Sequence, residues 1–328
     1  MYDFRQLKYL LKSISNIHIQ GDKGNIFLFA TPRGGSTWLM EIIASQPGMK
    51  YFDEPFNIRR DNVKTVNVFN DWADLMPDSC DKELIIKHLK NLESNKIRHM
   101  NPPPFRKNHR VFTSRIVYKI HELEHLIDEI KDEFNGYILY LLRHPIANTI
   151  SRHVFPRLNY FIDSDFYNDN YLTVDQIQEI RKIIDNGTEF QKGIVSWCYE
   201  NIIPLTSSHR SDFCFVTYEE LLLNPEKTCK LMMEKLNLSD LNSMLKSIGD
   251  PAMNIMMSNN DTLDIIKNTD FTNKNLKLVK KWKSRVSEQE EDQAFEILEL
   301  FGLNAYIKDR FIATDEYLNF KDTNKYIL

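Results

Sequence analysis

A glycine-containing turn, TPRGGSTW, joins a short apolar segment to a predicted helix near the N-terminus. Residues 26–30 have the length and composition of a buried strand, and the helix should begin at about Ser36. A helix N-terminus offers unpaired N–H groups and partial positive charge, and glycines let an anion approach the backbone. Arg33 adds a guanidinium cation that can bind an anion through two N–H groups, while Ser36 and Thr37 add two hydroxyl groups. The turn is therefore a candidate binding site for a phosphate or sulfate group.

The turn departs from the Walker A pattern GxxxxGK[ST] of ATP-binding proteins. Ala30 replaces the first glycine, Gly35 matches the second, Ser36 occupies the lysine position and Thr37 matches the last hydroxyl. Because the lysine is missing and no acidic magnesium ligand is evident on a strand, kinase or nucleotidase chemistry lacks its usual charge stabilisers. A sulfonate joined to a phosphate suits Arg33 and the hydroxyls without a metal. A P-loop kinase or nucleotidase is the alternative enzyme, and a plain glycine turn is the alternative without function.

A second candidate anion site follows the apolar segment 137–142. Arg143 directly follows this segment in the sequence LLRHPIANTISR, and Ser151 lies eight residues after Arg143. An arginine at the carboxyl end of a strand and a serine two helical turns further on can converge on one anion. Open α/β sheets bind their ligands at that edge. The alternative is an incidental exposed arginine followed by a helical serine.

The elements that must position these residues alternate between strands and helices. Strands are predicted at residues 26–30, 50–52, 111–120, 137–142 and 213–217, with helical segments between them. This alternation predicts an α/β fold, a P-loop-like parallel sheet flanked by helices. Residues 56–110 fit the alternation poorly and are predicted to be a helical insertion. The C-terminal part is predicted to be mostly helical, and residues 1–328 are predicted to form a single domain.

Composition excludes several classes of protein. The chain has 328 residues and a formal net charge of −4, so nucleic-acid binding by a global positive field is excluded. The four cysteines are irregularly spaced and make no zinc-binding pattern, so no metal is expected. The apolar segments are too short to cross a bilayer, and the N-terminus lacks the apolar run of a secretion signal. These features predict a cytoplasmic protein without a transmembrane segment.

Residues 31–39 resemble the 5′-phosphosulfate-binding loop of PAPS-dependent sulfotransferases, and residues 143–151 are similar to their 3′-phosphate motif. PAPS is 3′-phosphoadenosine 5′-phosphosulfate. The resemblance implies transfer of the sulfuryl group of PAPS to an acceptor hydroxyl by in-line displacement, with release of PAP. The arginine in the loop resembles the carbohydrate, bacterial-glycolipid and tyrosylprotein branches, since the cytosolic branch usually has lysine. The residues that the resemblance assigns to PAPS are Arg33, Gly34, Gly35, Ser36, Thr37, Trp38, Arg143, Ser151 and Tyr218.

Tyr218 lies in VTYEEL, which resembles a family segment that borders the adenine site, although a packing aromatic is an equal alternative. Residues 274–283, KNLKLVKKWK, loosely resemble the basic segment that closes over PAPS. Which of these lysines reaches the ligand is left open.

Two residues are candidates for the catalytic base. Glu54, in FDEPF, stands where the carbohydrate and tyrosylprotein branches have a catalytic glutamate, whereas His121 ends a Lys-x-His pattern typical of the cytosolic branch. Histidine has the more suitable pKa, and a glutamate needs burial to raise its own. Because the loop carries Arg33 rather than lysine, we favour Glu54, with His121 second. Arg33 is expected to stabilise the departing oxygen, and with a histidine base Lys119 would assist.

The acceptor is predicted only by class. Residues 56–110 are interpreted as lying on the acceptor side and carry many cations, which could attract an anionic glycan or glycolipid. A solvated surface explains these cations equally well. They are Arg59, Arg60, Arg98, His99, Arg106, Lys107, His109 and Arg110. A non-catalytic PAP-binding module is the alternative that is not an enzyme.

Overall fold

The computed structural model describes residues 4–64, 66, 68–250 and 271–321. Within these residues five strands form one sheet in the order β3-β5-β2-β6-β7, and every neighbouring pair is parallel. A separate ladder pairs β1 with β4. The strands are β1 Ile17–His18, β2 Ile26–Ala30, β3 Met49–Asp53, β4 Phe112–Thr113, β5 Arg115–Ile120, β6 Tyr137–Leu142 and β7 Cys214–Thr217. Because the sheet is parallel, all five carboxyl ends meet at one edge.

Helices connect the strands and cover both faces of the sheet. They are α1 Phe4–Ile14, α2 Ser36–Ala44, α3 Asp61–Lys64, α4 Lys82–Glu93, α5 Ile127–Glu133, α6 Pro145–Thr149, α7 Leu158–Ile162, α8 Asp165–Tyr171, α9 Val174–Asn186, α10 Glu189–Thr206, α11 Tyr218–Leu223, α12 Pro225–Lys235, α13 Leu241–Gly249, α14 Phe271–Lys280 and α15 Glu288–Leu300. The predicted α/β fold is confirmed. The C-terminal part is mostly helical where the structure describes it, and residues 56–110 contain α3 and α4.

The two layers of the core follow from the pattern of β2, whose five side chains are all buried. Phe27 and Phe29 pack into the apolar cluster on one face of the sheet. Ile26, Leu28 and Ala30 face the other way, into the cluster that contains α2. A strand with both faces covered needs apolar residues throughout rather than in alternation. This packing fixes the end of β2 and therefore the position of the anion loop.

One predicted strand differs from the structure, and the structure gives the detail of two other segments. The strand predicted at 111–120 is two strands, because the N–H groups of Ser114 and Arg115 turn to the carbonyl of Gly48 and separate β4 from β5. The sequence predicts a helix over residues 218–236 that is interrupted or kinked near Pro225, and the structure shows the interruption, since Pro225 starts α12 as its first residue. Residues 155–175, which have no clear periodicity, contain the short helices α7 and α8.

Among the described residues, no helix combines the length and the apolar character that a bilayer span requires.

Candidate active site

Every strand of the sheet is followed directly by residues that the sequence predicted to be functional. The anion loop follows β2, Glu54 follows β3, His121 follows β5, Arg143 follows β6 and Tyr218 follows β7. These residues line one cavity of about 840 Å³. All the predicted site residues except Gly34 and Lys119 are among its lining residues. The edge of the sheet therefore collects residues that are far apart in the sequence.

The anion loop is shaped by its backbone. The N–H of Gly34 donates to the carbonyl of Thr31 at 2.9 Å, and Gly35 has a φ of +96°. A Cβ at Gly35 would lie 2.6 Å from Cδ2 of Tyr218, so only glycine fits between the loop and that ring. No side chain caps α2 at Gly35. The first N–H groups of α2 are thus available to an anion.

Two arginines and a serine meet beside the loop. The guanidinium of Arg143 donates from Nη1 to the carbonyl of Arg33 at 2.7 Å and lies 4.4 Å from the ring centre of Tyr218. Arg33 in turn donates from Nε to the carbonyl of Ser151 at 3.1 Å. The buried Nε of Arg143 has no hydrogen-bond partner. Ser151 lies beyond α6, which ends at Thr149, so it reaches this place from a turn rather than from the predicted helix.

A cluster of charges stands on the other side of the loop. Nζ of Lys119 lies 2.8 Å from Oε1 of Glu54, donates to Oγ1 of Thr37 at 2.9 Å and also binds Asp53. Arg60 binds Asp53 at 2.7 Å and Glu54 at 2.9 Å. Parallel pairing puts Asp53 beside Lys119, and the N–H of Glu54 continues the ladder to the carbonyl of Lys119. The sheet register therefore sets the pairing of these charges.

These contacts decide the protonation of the acids. Burial raises the pKa of Glu54, but the charge of Lys119, the adjacent His121 and the charge of Arg60 outweigh burial and leave that pKa well below its ordinary value. Burial likewise raises the pKa of Asp53, and Lys119 and Arg60 lower it further than burial raises it. Glu54 is thus an ionised carboxylate. The expectation that a glutamate base needs burial to raise its pKa does not describe this site, because the cations dominate.

His121 lies directly beside Glu54. Its Nδ1 is 2.5 Å from the carbonyl of Ala30, which can only accept, so Nδ1 carries a proton. Its Nε2 faces Oε1 of Glu54 at 3.3 Å and Oγ of Ser36 at 3.4 Å. The two candidate bases therefore lie side by side in one cluster.

Two of the predicted catalytic residues have unusual backbones. The φ of Arg33 is +67° and that of Glu54 is +56°, in the left-handed region that side-chain-bearing residues avoid. Such a conformation costs on the order of 1–3 kcal/mol and persists only where the surroundings impose it. At both positions the contacts described above hold the backbone in this conformation.

A buried ionic network supports the strand end that carries His121, and sequence reasoning missed it. Arg157 binds the carboxylate of Glu124 at 2.6 and 2.8 Å and donates to the carbonyl of His121 at 2.7 Å. Arg152 binds Glu200 at 2.7 and 3.0 Å. Both arginines line the cavity. No local pattern marks these pairs, because their members are distant in the sequence.

The basic C-terminal segment borders the same cavity. Lys281, Trp282 and Arg285 are among its lining residues, and the ring of Trp282 stacks on His144 at 4.4 Å. Lys283 binds Glu291 instead. The side chain of Lys274 lies outside the described residues. Lys281 is therefore the lysine of this segment that reaches the cavity among those whose side chains are described.

The predicted cationic region contributes few side chains to the cavity. Arg59 lines it together with Asn57 and Trp72, and the guanidinium of Arg59 lies 5.7 Å from the ring centre of Trp72. Asn57 also donates to Oε2 of Glu54 at 2.7 Å. Other cations of the region bind protein groups and do not line the cavity; they are Arg98, His99, Lys107 and Arg110.

The chain is similar to several known proteins. A family model described as a sulfotransferase domain matches residues 23–300. Similar solved structures include the mouse sulfotransferase SULT7A1 complexed with PAP (17% identity, TM-score 0.41, covering 98% of this chain and 93% of that one). Others are the sulfotransferase domain of a Synechococcus olefin synthase (16%, 0.42, 88% and 98%) and that of the curacin biosynthetic pathway (15%, 0.41, 86% and 98%). No curated protein sequence matched the chain.

Proposed function

Because the chain belongs to the sulfotransferase family, we propose that it transfers the sulfuryl group of PAPS to an acceptor hydroxyl through the residues of this cavity and releases PAP. The observation that carries the proposal is the meeting of three groups at one edge of the sheet. They are the anion loop, the Arg143–Ser151 pair and the cluster of Lys119, Glu54 and His121.

The donor set fits a ligand with two separate anionic groups. The loop and the uncapped start of α2 suit the phosphosulfate, as does the exposed cation of Arg33. Arg143, with a buried Nε that lacks a partner, and Ser151 suit the 3′-phosphate. Tyr218 and Trp38 line the cavity and are proposed to border the adenine, although Arg143 lies over the ring of Tyr218 and Gly35 packs against that ring. When bound, PAPS supplies the sulfuryl group.

Glu54 is proposed as the base that takes the proton of the acceptor hydroxyl, with His121 as the second candidate. Glu54 is ionised and lines the cavity, and Nε2 of His121 at 3.3 Å can share the proton. The low pKa makes Glu54 a weak base while Lys119 binds it. Lys119 already bonds to Thr37 of the loop, so any anion in the loop competes for this cation. Drawing Lys119 toward the loop strengthens Glu54 as a base. It also places positive charge where negative charge develops on the leaving oxygen.

A carbohydrate or glycolipid hydroxyl is proposed as the acceptor. The side of the cavity next to Glu54 carries Trp72 and Arg59, an aromatic ring and a cation that can contact a sugar and an acidic substituent. The arginine of the loop resembles the carbohydrate, bacterial-glycolipid and tyrosylprotein branches, so it agrees with a saccharide acceptor but does not by itself select a saccharide over a tyrosyl peptide. The aromatic stretch 155–171 is a poorer candidate, since Phe161 and Tyr167 are buried in the core.

Two measurements test the proposal. Thermal-shift screening with PAP, ATP and ADP, with and without magnesium, should show stabilisation by PAP in the absence of metal. A preference for ATP that depends on magnesium would favour the kinase or nucleotidase alternative. Assays with labelled PAPS against glycans, glycolipids and tyrosyl peptides should then show label in a saccharide acceptor. Binding of PAP without transfer to any acceptor would favour the non-catalytic module, and transfer to peptides alone would contradict the acceptor class.

A further inference from the structure

The N-terminal helix α1 has its apolar side turned toward solvent. Its exposed apolar side chains recur every three or four residues, and the exposed fractions are 80% for Phe4, 49% for Leu7, 58% for Leu10, 42% for Leu11 and 69% for Ile14. The side of α1 that packs on the protein holds the buried Lys12 and Tyr9, whose ring contacts His99. A helix that folds only to build a core would bury the opposite face.

The ladder that follows α1 also carries exposed apolar side chains. Ile17 of β1 and Phe112 of β4 are paired in register, so their side chains project on the same side. They are 49% and 71% exposed. We call the seven residues of this surface the N-terminal apolar face: Phe4, Leu7, Leu10, Leu11, Ile14, Ile17 and Phe112. A group of exposed apolar side chains of this size marks a candidate interaction site.

The charges of α1 favour an anionic partner. The helix contains no acidic residue, and its cations are Arg5, Lys8 and the buried Lys12. Lys8 is exposed and lies one helical turn from both Phe4 and Leu11, at the border of the apolar face. An apolar face bordered by cations is the pattern of helices that lie in the headgroup region of a bilayer.

The N-terminal apolar face is tied to the acceptor side of the cavity. Helix α1 packs on the single turn Arg98–Met100, whose His99 bonds to the carbonyl of Asn62 in α3. Arg60, next to α3, binds Glu54 in the cavity. Burial, together with the cations of Lys8 and Arg60, lowers the pKa of Lys12 to about 8.

We propose that the N-terminal apolar face docks this protein on the surface of an anionic lipid bilayer, with α1 lying in the plane of the headgroups. The proposal concerns where the protein works and is independent of what it transfers. The apolar side chains would enter the boundary between headgroups and acyl chains, and Lys8 would meet the anionic headgroups.

Flotation with vesicles of phosphatidylcholine, with and without phosphatidylglycerol, tests the docking. The test variant is Leu10→Glu/Ile14→Glu, and the matched control is Val174→Glu/Ile307→Glu, which places the same change at apolar residues that are 69% and 47% exposed elsewhere. Wild type and control should float with the anionic vesicles, and the test variant should bind them roughly tenfold or more weakly. Melting curves should be alike for all three, because each changed side chain is exposed.

Three results would overturn the proposal. They are failure of the wild type to float with anionic vesicles, equal binding by the test variant, and equal binding to vesicles without phosphatidylglycerol. Sedimentation velocity addresses the rival occupant, a second copy of the chain. A wild-type dimer that the test variant converts to monomer, without vesicle binding, would assign the face to self-association instead.

Discussion

Nζ of Lys119 lies 2.8 Å from Oε1 of Glu54 and 2.9 Å from Oγ1 of Thr37, so one buried cation joins the proposed base to the anion loop. Lys119 is fully buried, and although burial lowers its pKa, Asp53 and Glu54 raise it above the ordinary value. The lysine is therefore charged, and it holds Glu54 in its ionised and weakly basic form. Occupation of the loop and the strength of the base are coupled through this single side chain.

Lys119→Met should move the acid limb of the kcat/KM profile to higher pH. Lys119 is the strongest of the charges that lower the pKa of Glu54, so its removal lets that pKa rise and the carboxylate becomes protonated at higher pH. Turnover at neutral pH should fall by roughly a hundredfold, since the cation near the leaving oxygen is also lost. Lys50→Met is the control, because Lys50 is a buried lysine of the adjacent strand that binds Asn16, Asn95 and Asn101 instead. Identical pH profiles for Lys119→Met and wild type would refute the coupling.

Arg143→Met should weaken PAP binding by roughly 10- to 100-fold, the loss expected for one or two charge-assisted hydrogen bonds. Ser151→Ala should weaken it less, by about fivefold, because a neutral hydroxyl makes a weaker bond. Arg181→Met, at an exposed arginine paired with Asp163, should leave the affinity unchanged. Isothermal titration in metal-free buffer measures all three. Wild-type affinity in Arg143→Met would remove this residue from the proposed 3′-phosphate site.

Gly35→Ala should destabilise the protein by roughly 2–4 kcal/mol and abolish measurable PAP binding. The new methyl group would meet Tyr218 at 2.6 Å, and the φ of +96° adds strain. Gly302→Ala isolates the strain, since its φ is +67° and nothing lies within 4 Å of its added Cβ. That control should cost only about 1–2 kcal/mol. Urea unfolding compares the two, and equal losses would show that contact with Tyr218 does not restrict Gly35.

Arg157→Met should destabilise the fold by about 3–5 kcal/mol, because it leaves Glu124 buried without its partner. Arg181→Met breaks an exposed pair and should cost between about 0 and 1 kcal/mol. Urea unfolding at neutral pH measures both. If Arg157→Met proves as mild as Arg181→Met, the network does not hold the end of β5 that carries His121.

The local parts of the site could be predicted from sequence. A buried strand, glycines and a helix start are neighbours in TPRGGSTW, and the same is true of Arg143 and Ser151. The relation between Glu54 and His121 could not be predicted in this way. It depends on β3 pairing with β5, and strand order is not encoded in any local pattern. The two residues that sequence reasoning treated as alternatives are therefore neighbours 3.3 Å apart.

The lowered pKa of Glu54 could not be predicted from the sequence for the same reason. Its cations come from β5 and from the segment before α3, and only the fold brings Lys119 and Arg60 to it. Helices α7 and α8 could not be predicted from the spacing of apolar residues, because the aromatic side chains of this segment follow no helical period. The side-chain cap from Ser164 that starts α8 is a local signal that could have revealed it.

The role of Glu54 is tested most directly by turnover of Glu54→Gln with labelled PAPS, measured together with its affinity for PAP and compared with His121→Ala. Glutamine keeps the size and shape of the side chain and one accepting oxygen, but it is neutral and cannot accept the proton. We predict that turnover of Glu54→Gln falls by roughly a thousandfold or more while PAP affinity stays within about twofold of wild type. Near-wild-type turnover of Glu54→Gln would contradict this account, and a large loss in His121→Ala alone would make the histidine the base.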